Sequence, residues 1–144
     1  MNYIGEYNHT LDAKGRVIVP AKFRELLGEK FIVCKGIDRC LVVYAMEEWE
    51  KFVANLNQLS NLNKNARDLK RFFMAGASEV ECDKQGRILL PETLRKYANL
   101  ESNIIFSGMG DKAEIWSKES WEDVSTLDDM ESIAATLDSM GISI

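Results

Sequence analysis

Self-similarity constrains this chain more than any other property. The segment DAKGRVIVPAKFRELLG, beginning at Asp12, recurs 71 positions downstream as DKQGRILLPETLRKYAN, beginning at Asp83. Asp12/Asp83, Gly15/Gly86, Arg16/Arg87, Pro20/Pro91 and Arg24/Arg95 are identical pairs, and Val17, Ile18 and Val19 are matched by Ile88, Leu89 and Leu90. After one inserted residue the match resumes at Ile32/Ile104, Gly36/Gly108, Glu47/Glu119 and Trp49/Trp121. Repetition of this kind marks two equivalent supersecondary units. One such unit is too small to bury an adequate core alone. The two are therefore expected to pair across a pseudo-two-fold axis into a single core.

Each copy has the same physical order. Asp-x-x-Gly suits a type I turn, with Asp first and Gly fourth. RVIVP and RILLP are short strands rich in branched apolar residues and stopped by Pro. Pro20 and Pro91 suit the first position of a short helix, where a missing N–H costs nothing. Phe23, Leu26 and Leu27 then face inward in the first copy, as do Leu94, Tyr97 and Ala98 in the second, with Gly28 and Asn99 as C-terminal caps. Strand pairs follow, FIVCKG with CLVVYA and NIIFSG with AEIWSK. The expected unit is β-α-β-β, and the fold class α+β, mainly β.

Between the copies, Trp49, Phe52, Val53, Leu56 and Leu59 recur at helical spacing. NLNKN interrupts them, and Leu69, Phe72 and Phe73 mark a second helix. These features divide the chain into a first repeat at 5–47, a helical linker at 48–75, a second repeat at 76–119 and an acidic tail at 120–144. In the tail, Ile133, Leu137 and Met140 have the spacing of a short docking helix or a frayed end.

The chain has 144 residues and a formal net charge of −5, which looks unfavourable for a nucleic-acid binder. The distribution changes that reading. No Lys or Arg follows Lys118, whereas Glu119, Glu122, Asp123, Asp128, Asp129, Glu131 and Asp138 all do, so residues 1–118 carry 18 basic against 16 acidic side chains. An acidic tail masks a mildly basic body. No apolar run approaches the roughly 20 residues of a membrane span, and the N-terminus lacks the basic and apolar regions of a secretory signal. Three scattered cysteines do not make a disulfide framework and suit a reducing cytoplasm.

Chemistry points away from catalysis. His9 is the sole histidine and has no nucleophile motif beside it. Cys34, Cys40, Cys82 and His9 lack the paired spacing of a structural zinc site, and the thiols read as small core residues. The glycines form no phosphate-binding loop. No metal or cofactor is expected. Trp49, Trp116 and Trp121 could stack on single-stranded nucleic acid, but their repeat-related places beside apolar stripes favour packing.

The twin Asp-x-x-x-Arg motifs are the candidate site. In the structural reading Asp12 caps its turn and ion-pairs with Arg16, as Asp83 does with Arg87, for only about 0–1 kcal/mol each. In the functional reading Lys14, Arg16, Lys84 and Arg87 sit on tight loops at one rim, where they meet phosphates and guanine edges. Lys22, Arg24, Arg95 and Lys96 on the neighbouring helices are secondary candidates. The residues alone leave these two readings open.

With two such motifs, each followed by a strand and Pro, GEYNHTLDAKGRVIVPAKFRELLG and DKQGRILLPETLR resemble the MraZ family of bacterial regulators, associated with the division and cell-wall gene cluster. The likeness continues through RFFMAGASEVECDKQGR and WSKESWE. It implies two tandem AbrB-like swapped-hairpin repeats forming a small barrel and a ring of about eight subunits. It also implies repression of the protein's own operon by binding tandem promoter repeats in double-stranded DNA, in a cytoplasmic, nucleoid-associated protein. The DNA-binding residues it implies are Asp12, Lys14 and Arg16 in the first loop, and Asp83, Lys84 and Arg87 in the second. A ring-forming scaffold that binds another protein, with the Asp and Arg residues as interface pairs, is the alternative.

Overall fold

A computed structural model describes residues 2–124 and 127–142. Ten of its elements are repeat-related in fives: β1 (Glu6–Thr10), β2 (Arg16–Ile18), α1 (Ala21–Leu27), β3 (Lys30–Lys35) and β4 (Leu41–Ala45), then β5 (Ser78–Glu81), β6 (Arg87–Leu89), α4 (Glu92–Tyr97), β7 (Asn103–Gly108) and β8 (Ala113–Ser117). Helices α2 (Met46–Asn57) and α3 (Lys64–Ala75) join the two sets, and α5 (Lys118–Glu122) and α6 (Leu127–Ser139) follow. The unit is thus β-β-α-β-β, with one strand more than the sequence reading gave. EYNHT and SEVE escaped that reading because they are polar and at most alternately buried.

The halves exchange strands. A six-stranded sheet runs β1-β7-β8-β4-β3-β5, so β1 of the first half pairs with β7 of the second, and β5 of the second pairs with β3 of the first. β2 and β6 form a separate antiparallel ribbon that packs against β1 and β5, the two end strands of the sheet. Alone, each half would keep only its own hairpin, β3–β4 or β7–β8. The shared core contains Val17, Phe23, Phe31, Leu41, Ile88, Leu94, Ile104 and Ile115.

β3 and β4 are apolar almost without interruption because both their faces are covered. Phe31, Val33, Leu41 and Val43 point into the core. Cys34, Val42 and Tyr44 point outward, against Trp49 and Phe52 of α2. Phe52 in turn meets Phe73 of α3 edge-on, with ring centroids 5.0 Å apart. Asn63 caps α3 by accepting from the Ala66 N–H at 3.2 Å. On the repeat-related face, Cys40, Ile105 and Trp116 pack beneath Trp121.

Two local expectations shift. Pro20 and Pro91 lie one residue before α1 and α4, as extended N-caps rather than first helical residues. Their carbonyls accept from the N–H groups of Phe23 and Arg24, and of Leu94 and Arg95. In the tail, helix starts at Leu127 rather than near Ser132, and its described side chains are exposed except Leu137, which is half-buried. No helix among the described residues is long and apolar enough to cross a membrane.

Candidate nucleic-acid interface

Both Asp-x-x-x-Arg loops are built by the same hydrogen bonds. The Gly15 N–H donates to the Asp12 carbonyl at 3.0 Å, and the Asp12 N–H donates to the Arg16 carbonyl at 2.9 Å, closing a tight turn. Asp12 Oδ1 accepts from the backbone N–H groups of Lys14 and Arg16 at 2.9 and 2.8 Å. Its Oδ2 accepts from Arg16 Nε at 2.8 Å. The second loop repeats this, with Asp83 Oδ1 holding the N–H groups of Gln85 and Arg87 at 2.9 Å and Oδ2 holding Arg87 Nε at 2.8 Å.

This bonding fixes the electrostatics. Hydrogen bonding by the Arg16 N–H, aided by the Arg16 side chain and the Lys14 N–H, holds the Asp12 carboxyl below the usual carboxylate range. The Arg87 N–H does the same for Asp83. Each carboxylate uses both oxygens within its loop and occupies only the Nε side of its arginine. Among the described residues the loop's own hydrogen bonds to each arginine side chain use Nε, and the end-on fork of the two terminal nitrogens is the part that grips phosphate or guanine.

The loops are linked crosswise. Gly15 has φ +86°, and a Cβ placed on it would come within 2.7 Å of the Arg95 guanidinium. Arg95 belongs to the second repeat and is tied down by an Nε bond of 2.9 Å to the Leu90 carbonyl. Gly86, at φ +79°, is covered in the same way by Arg24 of the first repeat. Asp12, Lys14, Arg16 and Arg95 therefore form one group, and Asp83, Lys84, Arg87 and Arg24 its pseudo-symmetric counterpart. Lys14 and Lys84 are exposed. Lys22 and Lys96 are exposed on α1 and α4, and Lys96 ion-pairs with Glu92 at 2.9 Å.

The β2–β6 ribbon joins these groups. Its register sets Arg16 opposite Leu89, Val17 opposite Ile88 and Ile18 opposite Arg87. Successive strand residues point to opposite faces, so the buried Val17 and Ile88 face the core and the other four residues face out. Ile18 is 44% exposed and Leu89 59%. By sequence both belong to short apolar strands, with no face assigned to them. Period-two alternation in R-V-I and R-I-L was the signal that they share a face with the arginines.

Other candidates lie elsewhere. His9 on β1 packs edge-on against Phe106, and burial, aided by Arg24, lowers its pKa. Cys34 and Cys40 are buried and Cys82 half-buried, and burial raises all three thiol pKa values. Among the described residues no group of three His, Cys, Asp or Glu side chains could hold a metal ion. A cavity of about 600 Å³ opens between Trp116, Trp121, Met109 and Val124, with Asp38, Glu114 and Asp123 also in its lining and no ribbon residue.

The family model described as "MraZ protein, putative antitoxin-like" matches this chain twice, over residues 3–72 and 73–140. The chain belongs to the MraZ family. Relatives named "Transcriptional regulator MraZ" match along nearly the whole chain. The one from Thermoanaerobacter sp. (strain X514) is 55% identical over 141 residues, which are 96% of this chain and 99% of the relative. Those from Lachnoclostridium phytofermentans and Acetivibrio thermocellus are 54% and 51% identical, over 98% and 97% of this chain and 99% of each relative. Both MraZ repeats carry one Asp-clamped arginine, and the ribbon brings the two to one face.

Proposed function

We propose that this chain is a sequence-specific DNA-binding transcriptional regulator that represses its own division and cell-wall gene cluster. The observation that carries this is the pair of arginines, Arg16 and Arg87, each oriented by an aspartate on one two-stranded ribbon. Such a ribbon fits the major groove, where guanidinium groups meet guanine O6 and N7, and its flanking lysines meet phosphates. Lys14, Lys84, Arg24 and Arg95 supply the surrounding charge. Asp12 and Asp83 act through the arginines. The lysines sit at different positions in the two loops, DAKGR and DKQGR, so the face is not strictly two-fold and suits direct repeats.

One chain offers few contacts and carries a net charge of −5. A ring of about eight subunits multiplies the face, and tandem promoter repeats engage neighbouring subunits together. Linked sites of this kind raise affinity by roughly 10²–10⁴ through effective concentration. The exposed Leu127, Met130 and Ile133 of α6 favour a second reading, a ring-forming protein-interaction scaffold.

Salt separates the two. Fluorescence anisotropy with the DNA upstream of the protein's own gene, against a scrambled duplex, should show promoter preference. The logarithm of affinity should fall by about 0.9 per log unit of salt for each phosphate neutralised. Arg16→Ala should abolish binding and leave the oligomer, sized by light scattering, unchanged. Weak, equal and salt-insensitive binding to both duplexes favours the scaffold, and collapse of the Arg16→Ala oligomer makes the loop structural.

A further inference from the structure

We propose that Ile18 and Leu89 read thymine methyl groups in the major groove, as a diagonal apolar pair set between Arg16 and Arg87. This rests on the DNA-binding reading above and names what the same face discriminates besides guanine and phosphate.

Single exposed aliphatic residues are common and need no explanation. These two differ in three respects. They occupy the same place in the two repeats, being the third residue of β2 and of β6. The register puts each directly across from the other repeat's arginine, so the outward face alternates guanidinium and aliphatic groups in both directions. Finally, they lie on the face where both clamped arginines emerge, a costly place to leave apolar surface bare in water.

That alternation matches one chemical surface. In the major groove the C5-methyl of thymine is an apolar group among donors and acceptors, and guanine beside it offers O6 and N7 to arginine. Diagonal neighbours across an antiparallel pair lie about 7–8 Å apart. Each base-pair step of duplex rises about 3.4 Å along the helix axis, so two steps rise nearly the same distance. Ile18 and Leu89 therefore fit thymines about two base-pair steps apart, each beside a position reached by an arginine. The rigid backing is provided by Val17 and Ile88, each 1% exposed beneath the ribbon.

The test compares two forms of the promoter duplex, one with thymidine and one with deoxyuridine throughout, which removes the methyl and keeps the pairing. Full-length protein and the Ile18→Ala/Leu89→Ala variant are titrated against both at one salt concentration. For wild type, each methyl in contact should be worth about 4-fold in affinity, the burial of one carbon, so losing two weakens binding about 15-fold. The double variant should bind the thymidine duplex more weakly and treat both duplexes alike, and Ile18→Val should retain the preference. Equal wild-type affinity for the two duplexes overturns the proposal, as does a double variant that keeps the wild-type ratio. Should the double variant fail to fold, the wild-type comparison still decides. Salt-sensitive binding to neither duplex overturns the DNA reading itself, and this inference with it.

Discussion

The guanidinium of Arg95 lies over Gly15, so a helix of the second repeat roofs the loop of the first. Its counterpart, Arg24 over Gly86, makes the arrangement reciprocal. Gly15→Ala is expected to destabilise the chain by about 1–2 kcal/mol through its positive φ alone, and to displace Arg95 as well. Gly28→Ala is the control, since Gly28 also has a positive φ, +79°, but nothing lies within 4 Å of a Cβ there. Urea unfolding should show both costs, while DNA affinity should fall only for Gly15→Ala.

Asp12→Ala gives a prediction whose sign separates two accounts. If the carboxylate were merely a negative charge near DNA, its removal would strengthen binding. As the holder of Arg16 Nε and of two backbone N–H groups, its loss should weaken binding instead. Anisotropy titration at fixed salt decides, with about 10-fold weaker binding expected from the loss of one charge-assisted hydrogen bond. Asp12→Asn, which keeps a carbonyl acceptor for the backbone, should fall between wild type and Asp12→Ala.

How much of this was legible in the sequence differs from element to element. The Asp-x-x-Gly turns, the strand pairs after each short helix and the two linker helices follow from local signals, because turn residues and continuous apolar runs record them directly. β1 and β5 do not, since each owes its place to a partner strand in the opposite half and its own residues are mostly polar. The roofing of Gly15 by Arg95 was illegible for the same reason, as it depends on how the halves interleave. Ile18 and Leu89 were hidden differently. A three-residue strand is too short for alternation to stand out against a run such as VIVP. The start of α6 at Leu127 was missed because acidic residues interrupt its apolar spacing.

Acid should loosen the loops late. The Asp12 and Asp83 carboxyls are held below the usual carboxylate range by hydrogen bonds made only in the folded loop. A lowered folded pKa contributes stability that is present above the unfolded value and is lost as pH falls through the folded one. The loops should therefore stay closed as pH drops through the ordinary Asp range and open only below it. NMR can follow the carboxyl carbons of Asp12 and Asp83 and the Arg16 and Arg87 Nε–H signals, which should disappear together. Titration of the two aspartates at the value of an ordinary exposed carboxylate would contradict the clamp.

Removal of α6 should separate stability from charge. Leu127 is 86% exposed and Met140 68%, and no described side chain of the helix is buried. A chain ending at Val124 should thus melt at nearly the same temperature as full length, within the ±0.5 kcal/mol usual for surface changes. Its charge changes greatly, because the segment removed contains Asp128, Asp129, Glu131 and Asp138 and no basic residue, taking the formal net charge from −5 to −1. Tighter DNA binding is expected at low salt, with the difference shrinking as ionic strength rises and the Debye length falls from about 30 Å at 0.01 M to about 8 Å at 0.15 M. A large drop in melting temperature would instead mean that α6 is held by another subunit in solution, and light scattering on the shortened chain would then show a smaller assembly.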